Sequence, residues 1–267
     1  MTKRLIHIIR FFIHNRYLIY SLVKHDLTIN YTGSWLGFAW NIIHPLVLVS
    51  IYWFIFSFGL RVQPVSGAPF LVWLVVGITI WFSFSEIVNG STYIIVNNAY
   101  LVKKIIFPYH ILPLIKIIST AAFHAFYLTL IISLLTVNHI GFHLLNLQFI
   151  YYYICMSFLA LGLGLMTSAL NIFIRDVSQI TTVMLQLFFW GTPIFWDIHI
   201  MPKSIQRVLA FNPVYYLVQG YRDAFIFHVP FWEKKSELLV FWMSAGVVFI
   251  FGLLIFQKLK KHFAEVI

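Results

Sequence analysis

The sequence predicts an all-α integral membrane fold, and three observations carry that prediction. Six long apolar runs recur along the 267 residues, all but one of them at or above the ~20 residues that a helix needs to cross ~30 Å of hydrocarbon. Composition agrees, at 61% hydrophobic, 19% aromatic and only 10% charged, where a soluble domain carries about 25% charged residues. The polar residues concentrate at the ends of the runs and between them. Lipid offers no partner to a backbone amide, so runs of this length must close their own hydrogen bonds as helices.

Residues 1–33 read as an N-terminal interfacial segment, followed by a six-span domain over 34–267. Within MTKRLIHIIRFFIHNR, helical spacing puts Lys3, His7, Arg10 and His14 on one stripe, with Leu5, Ile6, Ile9, Phe12 and Ile13 facing away. Such a helix suits the headgroup layer, with an ordinary solvated charge run as the alternative. His7 and Arg10 break the apolar part and no small-residue cleavage site follows, which argues against a signal peptide.

The spans are expected at Leu36–Leu60, Phe70–Ile95, Ile111–Val137, Leu147–Phe173, Ile180–Trp196 and Leu238–Gln257. The fifth is short, carries Gln186 and breaks at Gly191-Thr192-Pro193. After it, Asp197–Trp232 is too polar to span. Val208–Phe211 and Val214–Val218 flank Asn212-Pro213 there, as a re-entrant hairpin in the outer leaflet would require. A loop folded over the outer face is the other reading.

Six spans place both ends on one side. Twelve of the 18 cations then fall on that side, among them Lys3, Arg10, Arg16, Lys24, Lys103, Lys104, Lys116, Arg175 and Lys258. An excess of this kind marks the cytoplasmic face. The net charge of +10 reads as attraction to anionic lipid and anionic substrate; no basic cluster lies outside a membrane context, so nucleic acid is not an expected partner.

Several function classes are excluded. No glycine is followed by lysine, so the chain lacks a phosphate-cradling nucleotide loop. His139 and His143 stand four apart without a third ligand, and no metal site is expected. Eight carboxylates, mostly in loops, provide no paired acids for catalysis, so no catalytic residue is assigned. The single cysteine, Cys155, excludes an intrachain disulfide.

Glu86 is the most informative residue inside a span, because a carboxylate in hydrocarbon costs about 2.5–3.5 kcal/mol and must face water or protein. Ser83, Glu86 and Gly90 form one stripe, and Ser85, Asn89 and Thr92 its neighbour. This face either lines a hydrated route or subunit contact, or pairs Glu86 with Lys104 or Lys116 to fix packing. Gly33-x-x-x-Gly37 and Gly162-x-Gly164 permit close helix approach. Asn97–Phe107 can form a short amphipathic helix, either a knob for a partner's groove or an interfacial anchor. Trp40, Tyr52, Trp53, Trp81 and Trp190 fall within spans, where each can meet lipid, pack, or offer a stacking surface to sugar rings.

Motifs along nearly the whole chain resemble those of type-2 ABC exporter permeases for polysaccharides. They are Leu22-Val23-Lys24-His25-Asp26-Leu27 through Gly33-Ser34-Trp35-Leu36-Gly37-Phe38-Ala39-Trp40 to Pro45, then Tyr100-Leu101-Val102-Lys103-Lys104 with Phe107-Pro108. Arg175-Asp176-Val177, Thr192-Pro193-Ile194-Phe195-Trp196-Asp197, and Asn212-Pro213 with Tyr221-Arg222 continue the series in order. One departure is His25, where relatives commonly carry arginine. Within the group, Tyr52-Trp53-Phe54 with Gly59 and Arg61, Pro69–Trp73 and Pro193–Asp197 look most like wall teichoic acid permeases, with O-antigen permeases next.

The resemblance implies a homodimer paired with two copies of a separate ABC ATPase, which would hold the ATP and magnesium, leaving no cofactor in this chain. It implies a coupling helix toward that ATPase, carried here by Asn98, Tyr100, Leu101, Lys103, Lys104 and Phe107, with Arg175 and Asp176 beside it. It makes the N-terminal helix a gate at the membrane surface, where Arg10, Arg16 and Lys24 would attract the diphosphate of a lipid-linked polysaccharide. Trp40, Tyr52, Trp53, Trp81, Glu86 and Trp190 would line the path, and Pro193, Asn212, Pro213 and Arg222 would build the outer re-entrant segment. The implied location is a bacterial plasma membrane, Gram-positive for a teichoic acid cargo. Outside this class stands an ATPase-independent secondary transporter, which wants several intramembrane ionisable groups and an internal repeat. A membrane glycosyl- or acyltransferase would need the catalytic acids that the chain lacks.

Overall fold

The computed structural model describes residues 15–29, 35–62, 68–102, 109 and 111–266, and these are helical almost throughout. The order is α1 (Arg16–Ile29), α2 (Trp40–Phe54), α3 (Phe70–Asn97), α4 (Ala99–Val102), α5 (Ile111–Val137), α6 (Phe149–Phe173), α7 (Asp176–Gly191), α8 (Lys203–Leu209), α9 (Pro213–Arg222), α10 (Lys235–Leu259) and α11 (Phe263–Val266). A π-helical turn, Ile55–Gly59, prolongs α2, and another, Asp223–Phe227, prolongs α9.

Among the described residues, five helical stretches are long and apolar enough to cross a membrane: Trp40–Gly59, Phe70–Asn97, Ile111–Val137, Leu144–Phe173 and Lys235–His262. The expected fifth span is the exception. It begins earlier than its apolar run, at Asp176, and stops at Gly191 after 16 residues, or about 24 Å of helix. Thr192 is extended there (ψ 138°), and Pro193 has no N–H with which to continue the ladder.

α3 is the axle. It is predominantly apolar, and 78% of its membrane-length stretch is buried, against 11% for α2 and 17% for α10. It packs on α5, α6, α7 and α9, while α10 lies along α6. Small residues set these distances. A Cβ on Gly252 of α10 would sit 2.1 Å from the Gly162 carbonyl oxygen of α6, and one on Gly164 would sit 2.8 Å from Ser91 Cβ. Hydrogen bonds then join α3 to α6: Thr92 Oγ1 donates to Thr167 Oγ1 (2.9 Å), and Asn171 Nδ2 donates to the Thr92 carbonyl (3.1 Å). A buried hydroxyl or amide gains its partner within the bundle because lipid supplies none.

Two apolar cores result. The larger gathers α3, α6, α9 and parts of α5 and α10. The smaller lies where α3 hands over to α5 and takes in Leu22 of α1, Phe256 of α10 and Phe263 of α11. Leu239, Met243, Val247, Ile250 and Leu254 remain exposed along α10, the outward stripe of a helix that meets lipid.

Between α7 and α10 lie two short helices of opposite character. Val208 of α8 and nearby Phe211 are exposed, whereas Val214, Leu217, Val218 and Tyr221 of α9 are buried against α3, α6 and α10. The turn between them is local chemistry: Asn212 caps α9 by accepting from the Val214 amide (2.9 Å), and Pro213 occupies the first helical turn, where a missing N–H costs nothing. The same Asn212 donates to Thr192 Oγ1 (3.0 Å), tying this turn to the end of α7. At the far end of the following π turn, His228 closes the helix in the left-handed region (φ 52°).

Candidate functional site

A cavity of about 550 Å³ opens between α2, α3, α5 and α7. Helical spacing presents Trp40, Asn41, His44, Leu48 and Tyr52 from α2, and Trp81, Ser85 and Glu86 from α3. Thr120, Phe123 and Tyr127 of α5 and Leu185, Gln186 and Phe189 of α7 complete the wall. Aromatic rings interlock at one end: Tyr52 meets Phe195 edge-on (4.7 Å) and Phe189 (5.8 Å), and Trp81 lies 5.5 Å from Phe189. A wall of this kind offers π faces and a few polar atoms to a hydroxylated ligand, and no metal-holding cluster occurs among the described residues.

Four of the expected path residues, Trp40, Tyr52, Trp81 and Glu86, therefore meet in one place. Two do not. Trp53 points outward, half-exposed and edge-on to Phe58 at 5.5 Å. Trp190 is exposed and contacts Phe189 and Phe195 behind the wall. One α-helical step of about 100° separates Trp53 from Tyr52, which is enough to carry a ring from the lumen to the outside. The polar wall residues Asn41, His44 and Thr120 drew no notice in the sequence. Each is a polar residue within a largely apolar run, and only the rotation of its helix makes it face the cavity.

Glu86 has its cation. Lys116 Nζ of α5 lies 2.7 Å from Glu86 Oε1 and 3.4 Å from Asp26 Oδ2 of α1. Of the two lysines weighed for this pairing, Lys116 is the one placed here; Lys104 lies outside the described residues. Ser119 Oγ also donates to Asp26 Oδ2. Glu86 both pairs and lines the cavity, so the two readings of it are compatible.

Toward the N-terminal end of α3, Arg222 is only 1% exposed. It donates to the Pro193 and Ile194 carbonyls at 2.8 and 2.9 Å, and its guanidinium sits 3.3 Å from the centre of the Trp73 ring. Pro193, Asn212, Pro213 and Arg222 thus form one connected corner that holds the end of α7 against α9 and α3. Midway, His124 accepts or donates to Ser83 Oγ (2.8 Å) and Tyr221 OH (2.7 Å), linking α3, α5 and α9. No sequence motif pointed to that triad.

At the other end, Asn98 is buried and its Nδ2 donates to the Ile94 carbonyl (2.8 Å), while Leu101 joins the smaller core and Tyr100 is exposed. The cationic part of the expected coupling helix, Lys103 and Lys104 with Phe107, lies outside the described residues, as does Arg10. Arg16 and Lys24 are exposed on α1, and Arg175 and Asp176 are exposed at the turn between α6 and α7.

Comparison with known proteins now decides the family. The profile of the ABC-2 type transporter family matches residues 17–226. This chain belongs to the ABC-2 type transporter family. An O-antigen export system permease protein, RfbA, of Klebsiella pneumoniae is 29% identical over 251 residues, spanning 94% of this chain and 95% of its own. RfbA of Myxococcus xanthus is 28% identical over 98% of this chain and 99% of its own. The polysialic acid transport protein KpsM of Escherichia coli is 25% identical over 71% of this chain and 73% of its own. The ABC-2 match takes in every residue of the cavity wall and of the Arg222 corner.

Proposed function

We propose that this chain is the membrane subunit of an ABC exporter that moves a polyprenyl-diphosphate-linked polysaccharide of the O-antigen class outward across a bacterial plasma membrane. Two copies assemble with two copies of a separate ATPase, which binds ATP and magnesium. The relatives named above favour this cargo over the wall teichoic acid that the subfamily motifs resemble, and with teichoic acid goes the Gram-positive assignment. In this reading α7 is the fifth of six spans, completed by the segment after Thr192; α8 and α9 are the re-entrant pair on the outer side; both termini are cytoplasmic.

The observation that carries the reading is the aromatic cavity bordered by thinly buried α2 and α7. A polymer with many hydroxyls cannot enter ~30 Å of hydrocarbon without an enclosed polar route. Stacking faces such as Trp40 and Tyr52 hold sugar rings without fixing their register, which suits a repeating chain that must slide. α2 and α7 expose Ile51, Phe54, Val183, Met184 and Leu187, and a second copy set against them would turn two half-cavities into a corridor. The polyprenyl tail stays in lipid while the diphosphate is drawn by Arg16 and Lys24, each worth about 1 kcal/mol at an anionic surface. ATP binding in the partner drives the segment after Asn97, and α3 and α5, attached to it, shift the cavity walls.

The test is reconstitution. The chain is co-purified with its neighbouring ATPase, placed in vesicles with lipid-linked O-antigen, and glycan protection from an external glycosidase is followed. ATP-dependent transfer is expected, lost when the ATPase is omitted. Transfer that proceeds undiminished without the ATPase defeats the proposal and favours a secondary transporter.

A further inference from the structure

Glu86 belongs to two cavities. It lines the aromatic cavity and also a polar one of about 210 Å³ beneath α1, whose wall includes His25, Asp26, Asn89, Asn98 and Lys116. Lys116 is 5% exposed, and its stem crosses Gly90 so closely that a Cβ there would lie 2.1 Å from Lys116 Cε. One ammonium is therefore shared between a carboxylate of α3, at 2.7 Å, and one of α1, at 3.4 Å. Asp26 Oδ2 receives both Lys116 and Ser119, so two polar bonds fasten α1 to α5. Leu18, Ile19, Leu22 and Val23 add an apolar grip.

The unequal sharing has a direction. A buried ammonium stripped of all carboxylates is strongly unfavourable, which is why most buried ion pairs resist opening. Here the shorter, tighter bond is to Glu86, so α1 can leave with Asp26 and still leave Lys116 paired. Charge changes with it. With α1 docked, the cluster of two carboxylates and one ammonium carries a net −1 beside the cavity. With Asp26 gone, the Glu86–Lys116 pair is neutral, and an anionic headgroup no longer meets a like charge at the cavity floor.

We infer that Asp26, Ser119 and Lys116 form a latch that holds α1 against the spans and keeps anions out of the aromatic cavity, with Glu86 as the counter-charge that makes the latch reversible. These are positioning residues; the inference rests on the export reading above for its purpose but not for its geometry.

Two measurements test it on the full chain in lipid vesicles. In the first, Leu22→Cys reports on docking, because Leu22 is buried on the inward face of α1 and the native Cys155 is buried too. Modification by a membrane-impermeant maleimide, with no cargo or nucleotide present, is followed against the unsubstituted chain. Adding Asp26→Asn is expected to raise the rate at position 22 at least fivefold, Asp26→Glu to return it to within twofold, and Glu86→Gln, which would strand Lys116 whenever α1 left, to lower it at least twofold. Equal rates with and without Asp26→Asn overturn the latch. Should Asp26→Asn fail to give folded protein, Ser119→Ala carries the same test, a twofold rise supporting the latch and an unchanged rate overturning it. In the second, Asp26→Asn is expected to lower the lipid-linked glycan concentration for half-maximal ATPase stimulation at least threefold, with the maximal rate unchanged. An unaltered half-saturation alongside faster labelling overturns the exclusion of anions. The labelling arm needs no transport, so failure of the export reading is seen separately, as absent transfer by the unsubstituted chain with its ATPase.

Discussion

Arg222 shows what a buried charge needs when no carboxylate is bonded to it. Its guanidinium satisfies two carbonyls that the break at Pro193 leaves without helical donors, and the Trp73 face covers it. Gly77 makes this possible, since a Cβ there would lie 2.7 Å from Nη2. A lysine has one compact ammonium and cannot serve two carbonyls while stacking on an indole. Arg222→Lys is therefore expected to lower stability by about 2 kcal/mol, read as a lower Tm of the purified protein, and Gly77→Ala to act in the same direction. Lys116→Met is expected to cost about 3 kcal/mol, the low end for stranded buried charges because Glu86 is half exposed and keeps some water. The sequence made both Glu86 and Arg222 noticeable, the first as a charge inside an apolar run and the second through its motif. It offered Glu86 two lysines and Arg222 no partner at all, because a long side chain reaches atoms distant in sequence.

Helices here meet through missing side chains. α6 and α10 touch backbone to backbone at Gly162 and Gly252, and Gly220 of α9 lets the Tyr152 ring pass where a Cβ would lie 2.0 Å from Cε1. In lipid, apolar burial gives helices little reason to associate, so close van der Waals contact carries more of the load. Gly252→Ala is expected to push α10 off α6 and lower Tm and folded yield, whereas Gly246→Ala, with open space around its Cβ, is expected to stay within about 0.5 kcal/mol of the parent. The pair Gly162-x-Gly164 was legible as a site of close approach, but Gly252 was one glycine in an apolar run. Its partner emerges only when two helices far apart in sequence are aligned. The segment expected as a fifth span was legible as short, through the Thr192-Pro193 break, yet the start of its helix at Asp176 was not. Ser178 and Thr181 continue the helix by donating back to the carbonyls of Arg175 and Val177, so polar residues there did not end it.

At the scale of the molecule, a deeply buried α3 is flanked by loosely buried α2 and α7, and the aromatic cavity lies in the loose half. Among tryptophans this predicts a division. Trp40→Ala removes a half-exposed face from the cavity wall and is expected to slow glycan transfer about fivefold, the worth of one stacking contact. Trp53→Ala, one residue past Tyr52 but outside the wall, is expected to leave it within about twofold; ATP-driven transfer in vesicles measures both. By itself, the sequence determined that lipid is the solvent, that the chain is helical, and where the long helices run: Ile111–Val137 was expected and observed residue for residue, and Phe70–Ile95 fell two residues short of Phe70–Asn97. Those properties are local sums of hydropathy along consecutive residues, and lipid sets a minimum length for a run that crosses it. Only the tertiary structure decided which aromatic faces the cavity, which lysine Glu86 holds, and that α1 shares it. Each depends on how one helix is rotated against another, which is set by contacts such as Gly162 on Gly252 and Lys116 across Gly90, between residues that the chain order keeps apart.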